Sequence, residues 1–236
     1  MSEIEPNRRG LIRATMAGAV ILAAAGSDGA IAQGTAARPA PYAPKPLPFD
    51  PQKIKGISEK ILVSHYQNNY IGAVKRLNSI ADQLASLDFE TAPGFVINGL
   101  KREELIATNS MILHEVYFAG LGDATEPSGA LAEAIGRDFG GMKRWRSEFI
   151  GMGKAQGGGS GWVLLTYSPR DKRLVNAWAS DHTTTLAGGE PILALDMYEH
   201  AYQMDFGAKA ADYVTTVMGV VNWSNAERAY ARLTKT

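Results

Sequence analysis

Between Ile54 and Leu87 the chain contains no proline, and its apolar residues recur at helical spacing: Ile57, Ile61, Leu62, Tyr66, Tyr70, Val74, Leu77, Ile80, Leu84 and Leu87. A run of that length commits the first half of the chain to one long helix or two in series. A second helical stretch is expected from Arg102 to about Phe118, after Asn98-Gly99 and before the Gly120-x-Gly122 breaker. Two helices so joined form an antiparallel hairpin.

The second half changes period. Leu131–Phe139 and Met142–Gly153 read as helices, and the glycine run Gly157 to Gly161 then breaks the pattern. Trp162–Tyr167 and Leu174–Ala179, separated by Ser168-Pro169-Arg170-Asp171, read as two strands of a hairpin. Pro191–Leu195 reads as a third, short strand, and Ala208–Val221 and Asn222–Leu233 as closing helices. The expected fold class is α+β: an N-terminal helical hairpin domain (51–125), then an α/β domain (126–236) with a small three-stranded antiparallel sheet. No repeat is present. The glycine run lacks the Lys-Ser/Thr of a phosphate loop and precedes a strand, not a helix.

Ahead of these domains, Asn7-Arg8-Arg9-Gly10 precedes an apolar run from Ala14 to Ala25 and a small-residue stretch ending Ala30-Ile31-Ala32. Twelve apolar residues are too few to span a bilayer, which takes about 20. They suit a signal peptide cleaved after Ala32, and the paired arginines resemble the twin-arginine signal. Residues 1–32 are therefore expected to direct export to the periplasm, with no membrane anchor after cleavage. Residues 33–50, with Pro39, Pro41, Pro44, Pro46 and Pro48, read as an extended arm.

Composition narrows the chemistry. Lys+Arg and Asp+Glu are equal at 24 each and form no runs, which argues against nucleic acid as a partner. The absence of cysteine removes disulfides, thiolate metal sites and Cys nucleophiles. Four histidines remain. Asp196 and His200 lie four apart just after the third strand; His65 lies on the first helix and His114 late on the second. In an antiparallel hairpin His65 and His114 fall at the same end, so three imidazoles and one carboxylate can converge. That donor set suits Zn, Fe, Mn or Co and is poor in oxygen for Ca or Mg.

At these residues the chain resembles the iron/manganese superoxide dismutase family. The likeness runs in order through Pro41 to Phe49, Ile57-Ser58-Glu59-Lys60 before His65-Tyr66, His114 with Phe118-Ala119-Gly120-Leu121, Arg137-Asp138-Phe139-Gly140, Gly159-Ser160-Gly161-Trp162, Asp196-x-x-Glu199-His200-Ala201-Tyr202 and Val221-Asn222-Trp223. The resemblance implies that His65, His114, Asp196 and His200 hold one Fe or Mn ion per subunit, with solvent as fifth ligand, and that superoxide is disproportionated there. It implies that Trp162 walls the site, that His182 contacts the bound solvent, and that Lys209 stands where the family often has an anion-attracting arginine. It further implies a homodimer in which Glu199 reaches His200 of the second subunit.

The departures fall in the substrate funnel. Where the family usually carries a His four residues and a Tyr eight residues past the first ligand, this chain has Asn69 and Ala73. Tyr70, about 140° around a regular helix from His65, replaces neither unless the helix is distorted. The position after Tyr202, which pairs with that His across the interface, is Gln203, and Phe118 and Tyr198 replace family tryptophans. Two other readings of the same donors remain: a catalytically weak, dismutase-like metal-binding protein of the periplasm, and a zinc hydrolase.

Overall fold

The computed structural model describes residues 41–235; the expected signal peptide and the start of the expected proline-rich arm, residues 1–40, lie outside them. The proline-free run folds as α1 (Glu59–Ser64), a π-helical turn (His65–Tyr70) and α2 (Ile71–Ser86), following one another without a break. Ser58 opens it by accepting the Ile61 N–H at 3.2 Å, which satisfies one of the donors a helix start leaves free. Asp205 in turn accepts from both the Ser58 N–H and its hydroxyl at 2.7 Å, tying the helix start to the C-terminal half.

The second helix of the hairpin, α3 (Gly94–Ala119), begins eight residues before the sequence-based start. Asn98-Gly99 lies inside it. An interior glycine costs a helix about 1 kcal/mol, which a 26-residue helix packed along α2 absorbs. The operative start signal is Pro93, whose carbonyl accepts from Val96 and Ile97.

Then follow α4 (Gly129–Phe139) and α5 (Met142–Ala155), β1 (Trp162–Ser168), β2 (Arg173–Ala179) and β3 (Glu190–Asp196). The sheet is antiparallel with order β2-β1-β3. The central strand, β1, is buried along its whole length: it is paired on both edges, α5 packs against it and α3 packs against its neighbour β3. In register, Trp162 stands between Ala179 and Asp196, so the residue expected to wall the site and one expected ligand are paired neighbours. A 3-10 turn (Glu199–Ala201) and α6 (Gln203–Phe206), which periodicity is too short to reveal, lead into α7 (Ala210–Met218) and α8 (Ser224–Thr234). The α+β class and the three-stranded antiparallel sheet are as the sequence indicates. One buried apolar cluster, from Ile61, Leu77 and Leu113 to Trp145, Trp162, Tyr213 and Trp223, runs through both halves.

Gly161 ends the glycine run at φ 131°, and a Cβ there would lie 2.2 Å from the Ala179 carbonyl oxygen. Its own carbonyl accepts the Met197 N–H at 2.9 Å. The close approach of three chain segments therefore needs a glycine. Gly161→Ala is expected to destabilise the fold by about 2–4 kcal/mol through backbone strain and displacement of β1. Chemical denaturation would read this as a lower midpoint; an unchanged midpoint would contradict it.

The described part of the arm docks on the hairpin through backbone pairing. The Asn78 side chain accepts from the Tyr42 N–H and donates to the Tyr42 carbonyl, both at 2.8 Å. Tyr66 Oη donates to the Lys45 carbonyl at 2.9 Å, Tyr70 Oη accepts from the Lys45 N–H at 2.7 Å, and Lys45 Nζ pairs with Glu115. The arm thus covers the outer side of the π turn. Among the described residues no helix is long and apolar enough to cross a membrane.

Candidate metal centre

Each donor comes from a different element. His65 opens the π turn, where the Ile71 N–H bonds the Tyr66 carbonyl five residues back. Such wide turns inside α-helices occur mostly at functional sites. His114 lies in the last third of α3, Asp196 ends β3, and His200 sits in the 3-10 turn after it. The hairpin does bring His65 and His114 to one end, with ring centroids 4.9 Å apart, and His200 stands 4.7 Å from His65.

The donor atoms converge on one point. Asp196 Oδ2 is 3.0 Å from His65 Nε2, 3.2 Å from His200 Nε2 and 3.6 Å from His114 Nε2. The four ligand atoms lie within 4.8 Å of one another, a spacing that one ion can bridge. His65, His114 and Asp196 are almost fully buried, and His200 is partly exposed.

Hydrogen bonds fix the orientation of the rings. His114 Nδ1 donates to the Ser110 carbonyl at 2.6 Å, so the neutral ring presents the Nε2 lone pair to the centre. That Nε2 is buried with no hydrogen-bond partner. An orphaned buried nitrogen costs about 1–3 kcal/mol unless something occupies its lone pair, and a metal ion does so. Asp196 Oδ1 is held by the Tyr198 N–H at 2.8 Å, which leaves Oδ2 for the centre.

Protonation states agree with this reading. Burial pushes the His65 pKa down against the pull of Asp196, and burial together with the neighbouring His65 takes His114 down to about 3. Burial alone would raise the Asp196 carboxyl, but His200 and His65 outweigh it and hold it well below the usual carboxylate range. Neutral imidazoles around an ionised carboxylate are the forms that bind a cation. The residues present fit Fe or Mn.

Around the donors, Phe118 and Tyr117 pack on His65, and Trp162 meets His114 edge to face at 5.2 Å between centroids. Trp162 Nε1–H donates to His182 Nδ1 at 3.1 Å. The neutral His182 ring, favoured by burial, then carries its proton on Nε2. His182 stacks on Tyr198 at 4.8 Å, and its carbonyl is gripped by Asn109 Nδ2 from α3.

A cleft of about 450 Å³ opens onto His114, His182 and His200. Its far wall is Asn68, Asn69, Gly72, Ala73 and Arg76 from the π turn and α2. Asn69 and Ala73 thus stand in the cleft wall, where neither side chain can titrate. Tyr70 is not among the lining residues: although the helix is distorted, its hydroxyl turns to Lys45 and donates to Glu115 at 3.0 Å. Lys209, flanking α7, is exposed and is likewise not among the cleft residues. Sequence reasoning missed Arg76, Ser110 and Asn109. Ser110 and Asn109 precede His114 by one helical turn or slightly more and were readable as its supports; Arg76 carried no motif.

A relative named superoxide dismutase [Fe] in Cupriavidus metallidurans is 66% identical over 190 residues, covering 80% of this chain and 96% of that protein. The chain belongs to the iron/manganese superoxide dismutase family. The pattern of the iron/manganese superoxide dismutase C-terminal domain matches residues 127–229. Within the family, this chain is also 34% identical over 186 residues to superoxide dismutase [Mn] 1 of Halobacterium salinarum, covering 77% of this chain and 91% of that one. Superoxide dismutase [Fe] of Methanothermobacter thermautotrophicus is 32% identical over 190 residues, covering 78% and 91%.

The Trp162–His182 bond holds the His182 imidazole in the cleft, its ring centroid 6.1 Å from that of His114. His182→Ala is expected to lower turnover about 10- to 100-fold, the usual cost of removing a group that tunes a metal site from outside its ligands. Metal content should stay near one ion per chain. Loss of the metal itself on this substitution would contradict the role.

Proposed function

We propose that the protein disproportionates superoxide to oxygen and hydrogen peroxide at one Fe or Mn ion held by His65, His114, Asp196 and His200. The convergence of three Nε2 atoms and one carboxylate oxygen, with His114 Nε2 left without a protein partner, carries this reading. When bound, the ion supplies one-electron chemistry by alternating between trivalent and divalent states. The protein has to admit a small anion, exclude bulk water and deliver protons, since two superoxide anions and two protons give one oxygen and one hydrogen peroxide.

His182 is the group placed to orient a water or oxygen species by hydrogen bonding: a neutral ring whose Nδ1 accepts from Trp162 offers Nε2–H as a donor and is not itself the proton source. Its Nε2–H is left free by the Trp162 bond, it lines the cleft, and Tyr198 stacked on it keeps its own proton because burial pushes that phenol up to about 12. Asn69 and Ala73 hold no titratable group, so the protons come from water entering the cleft, which His182 Nε2–H can orient. A zinc hydrolase would need a carboxylate or other base beside the ion; among the described residues the cleft is lined by no Asp or Glu. The reading as a catalytically weak metal-binding relative would rest on Asn69 and Ala73 alone, and the 66% identity to a relative named superoxide dismutase [Fe] speaks against it.

The active form is a homodimer completed through Glu199 and His200. What supports this is geometry within one chain: Glu199 is exposed beside His200, and no described residue bonds His200 Nδ1, the nitrogen turned away from the centre. A carboxylate from a second copy would satisfy that nitrogen and lock the ring. We also infer export to the periplasm through residues 1–32, supported by the twin arginines, the short apolar run and the A-x-A site, with superoxide as the substrate met there. No stable membrane anchor would remain after cleavage.

Reconstitution of metal-free protein with Fe, Mn or Zn tests the activity: Fe or Mn should restore superoxide removal and Zn should not. Restoration by Zn, or by none of the three, would overturn the proposal. Sedimentation of Glu199→Ala should show a shift toward monomer relative to the parent, and an unchanged dimer would remove Glu199 from the interface.

A further inference from the structure

The cleft has an electrostatic asymmetry that the metal ligands do not explain. Of the side chains lining it, Arg76 is the one that carries a formal charge at neutral pH independent of the metal site, among the described residues; the rest are amides, small or apolar groups, Ser110, Tyr198 and imidazoles. The carboxylate that pairs with Arg76, Glu103, lies on α3 and is not among the lining residues. Arg76 thus borders the cleft while its carboxylate partner does not. Arg76 is half exposed, at 53%, while Glu103 is more buried, at 31%, so the pair is anchored at its acidic end and open to solvent at its basic end. Arg102 also lies 3.8 Å from Glu103 and acts on Asp181 as well, so two guanidinium groups are matched by two carboxylates, and of these four groups Arg76 is the one that borders the cleft.

Shape adds a second observation. Gly72 and Ala73 line the cleft on the same wall as Arg76, and a Cβ at Gly72 would meet nothing within 4 Å. The cleft wall beside Arg76 therefore carries no bulky side chain at these two positions. Lys209 stands outside the cleft lining, exposed beside α7.

Resting on the dismutase reading, we propose that Arg76, positioned by Glu103, is the residue that draws the anionic substrate into the cleft, in place of Lys209. It is a steering residue, acting on superoxide before the anion reaches the ion. A charge that lines a low-dielectric cleft focuses the local field and raises association rates by roughly 10- to 1,000-fold in favourable cases. A single, partly paired and half-exposed guanidinium belongs at the low end of that range. Its action is screened when the Debye length shrinks from about 30 Å at 0.01 M salt to about 3 Å at 1 M.

The test compares the metal-loaded parent with Arg76→Gln, Arg76→Lys, Glu103→Gln and Lys209→Gln. Two quantities are read: the second-order rate of superoxide removal against ionic strength, and the affinity for azide measured by optical titration without turnover. Arg76→Gln should lower the low-salt rate about 3- to 10-fold, flatten its salt dependence and weaken azide binding by a similar factor. Arg76→Lys should restore most of both, since the charge and not the fork is at issue. Glu103→Gln should steepen the salt dependence, and Lys209→Gln should leave the slope close to the parent's. If Lys209→Gln flattens the slope and Arg76→Gln does not, or if Arg76→Gln leaves both slope and azide affinity unchanged, the assignment is wrong. If the metal-loaded parent binds azide in an Arg76-dependent way but removes no superoxide, the steering role for superoxide falls together with the dismutase reading, while the anion-binding role of Arg76 stands.

Discussion

Asp196→Asn is expected to abolish superoxide removal and to lower metal affinity by more than the roughly 10- to 100-fold typical of groups that only support a ligand. The reason is charge as well as geometry. Three neutral imidazoles and an amide leave a trivalent ion with no anionic protein ligand in a buried pocket, where the desolvation of an unpaired charge costs several kcal/mol. The amide also reverses the hydrogen-bond logic. Asp196 Oδ1 accepts the Tyr198 N–H, and Oδ2 faces three Nε2 atoms. An Asn that keeps its oxygen on Tyr198 must turn its NH2 toward the imidazoles, and the lone pairs that would bind the ion bind the amide instead. Elemental analysis of purified protein and its superoxide-removal rate check this. A variant that retains one Fe or Mn per chain with parental activity would contradict the ligand assignment.

The second large effect is the stability of the metal-free protein in acid. His114 has a folded-state pKa of about 3 against 6.5 for an ordinary imidazole, so below pH 6.5 the unfolded chain takes up a proton that the folded chain refuses. Its contribution is complete above about pH 6.5 and shrinks as pH falls toward 3. Between pH 6.5 and 4 His114 alone removes about 3 kcal/mol, at about 1.4 kcal/mol per pH unit. His65, also lowered by burial, acts in the same direction and window. Asp196, whose carboxyl is held low, adds a loss at lower pH, beginning below the ordinary carboxylate range. The expected outcome is a metal-free Tm that falls by roughly 6–12 °C between pH 7 and 4. At pH 7, bound metal at 1,000 times its Kd adds about 4 kcal/mol, or roughly 8–16 °C, and this gain vanishes in acid as protons compete for the imidazoles. Calorimetry on metal-free and loaded protein measures both. A metal-free Tm independent of pH from 7 to 4 would show that the imidazoles are not held neutral.

The sequence made the ligand set legible because it is written in two kinds of pattern at once. Asp196 and His200 are close in sequence, and His65 and His114 follow from the geometry of an antiparallel hairpin. Helix and strand ends in the second half came within a few residues because glycine runs and turn residues punctuate them. The π turn was not legible. A π turn alters hydrogen bonding over one turn without changing the apolar pattern; Tyr70, read as no substitute for the funnel residues unless the helix is distorted, does stand on a distorted turn, yet its hydroxyl belongs to the Lys45 and Glu115 network. The early start of α3 was hidden by Asn98-Gly99, a turn signal overridden by packing along α2. Arg76 could not be picked out from other surface arginines, because its meaning depends on its bordering the cleft while Glu103 does not, and on Gly72 and Ala73 lining the same wall. Lys209, which the resemblance puts in the place of an anion-attracting arginine, is exposed beside α7 and is not among the residues lining the cleft.

The measurement that bears most directly on the central claim is superoxide decay after pulse radiolysis, on protein whose Fe, Mn and Zn contents have been quantified. It should be run over a range of superoxide-to-protein ratios. Decay far faster than the spontaneous rate, with a rate constant proportional to bound Fe or Mn, is what a dismutase built on His65, His114, Asp196 and His200 predicts. Decay at the spontaneous rate with Fe or Mn fully bound would contradict it.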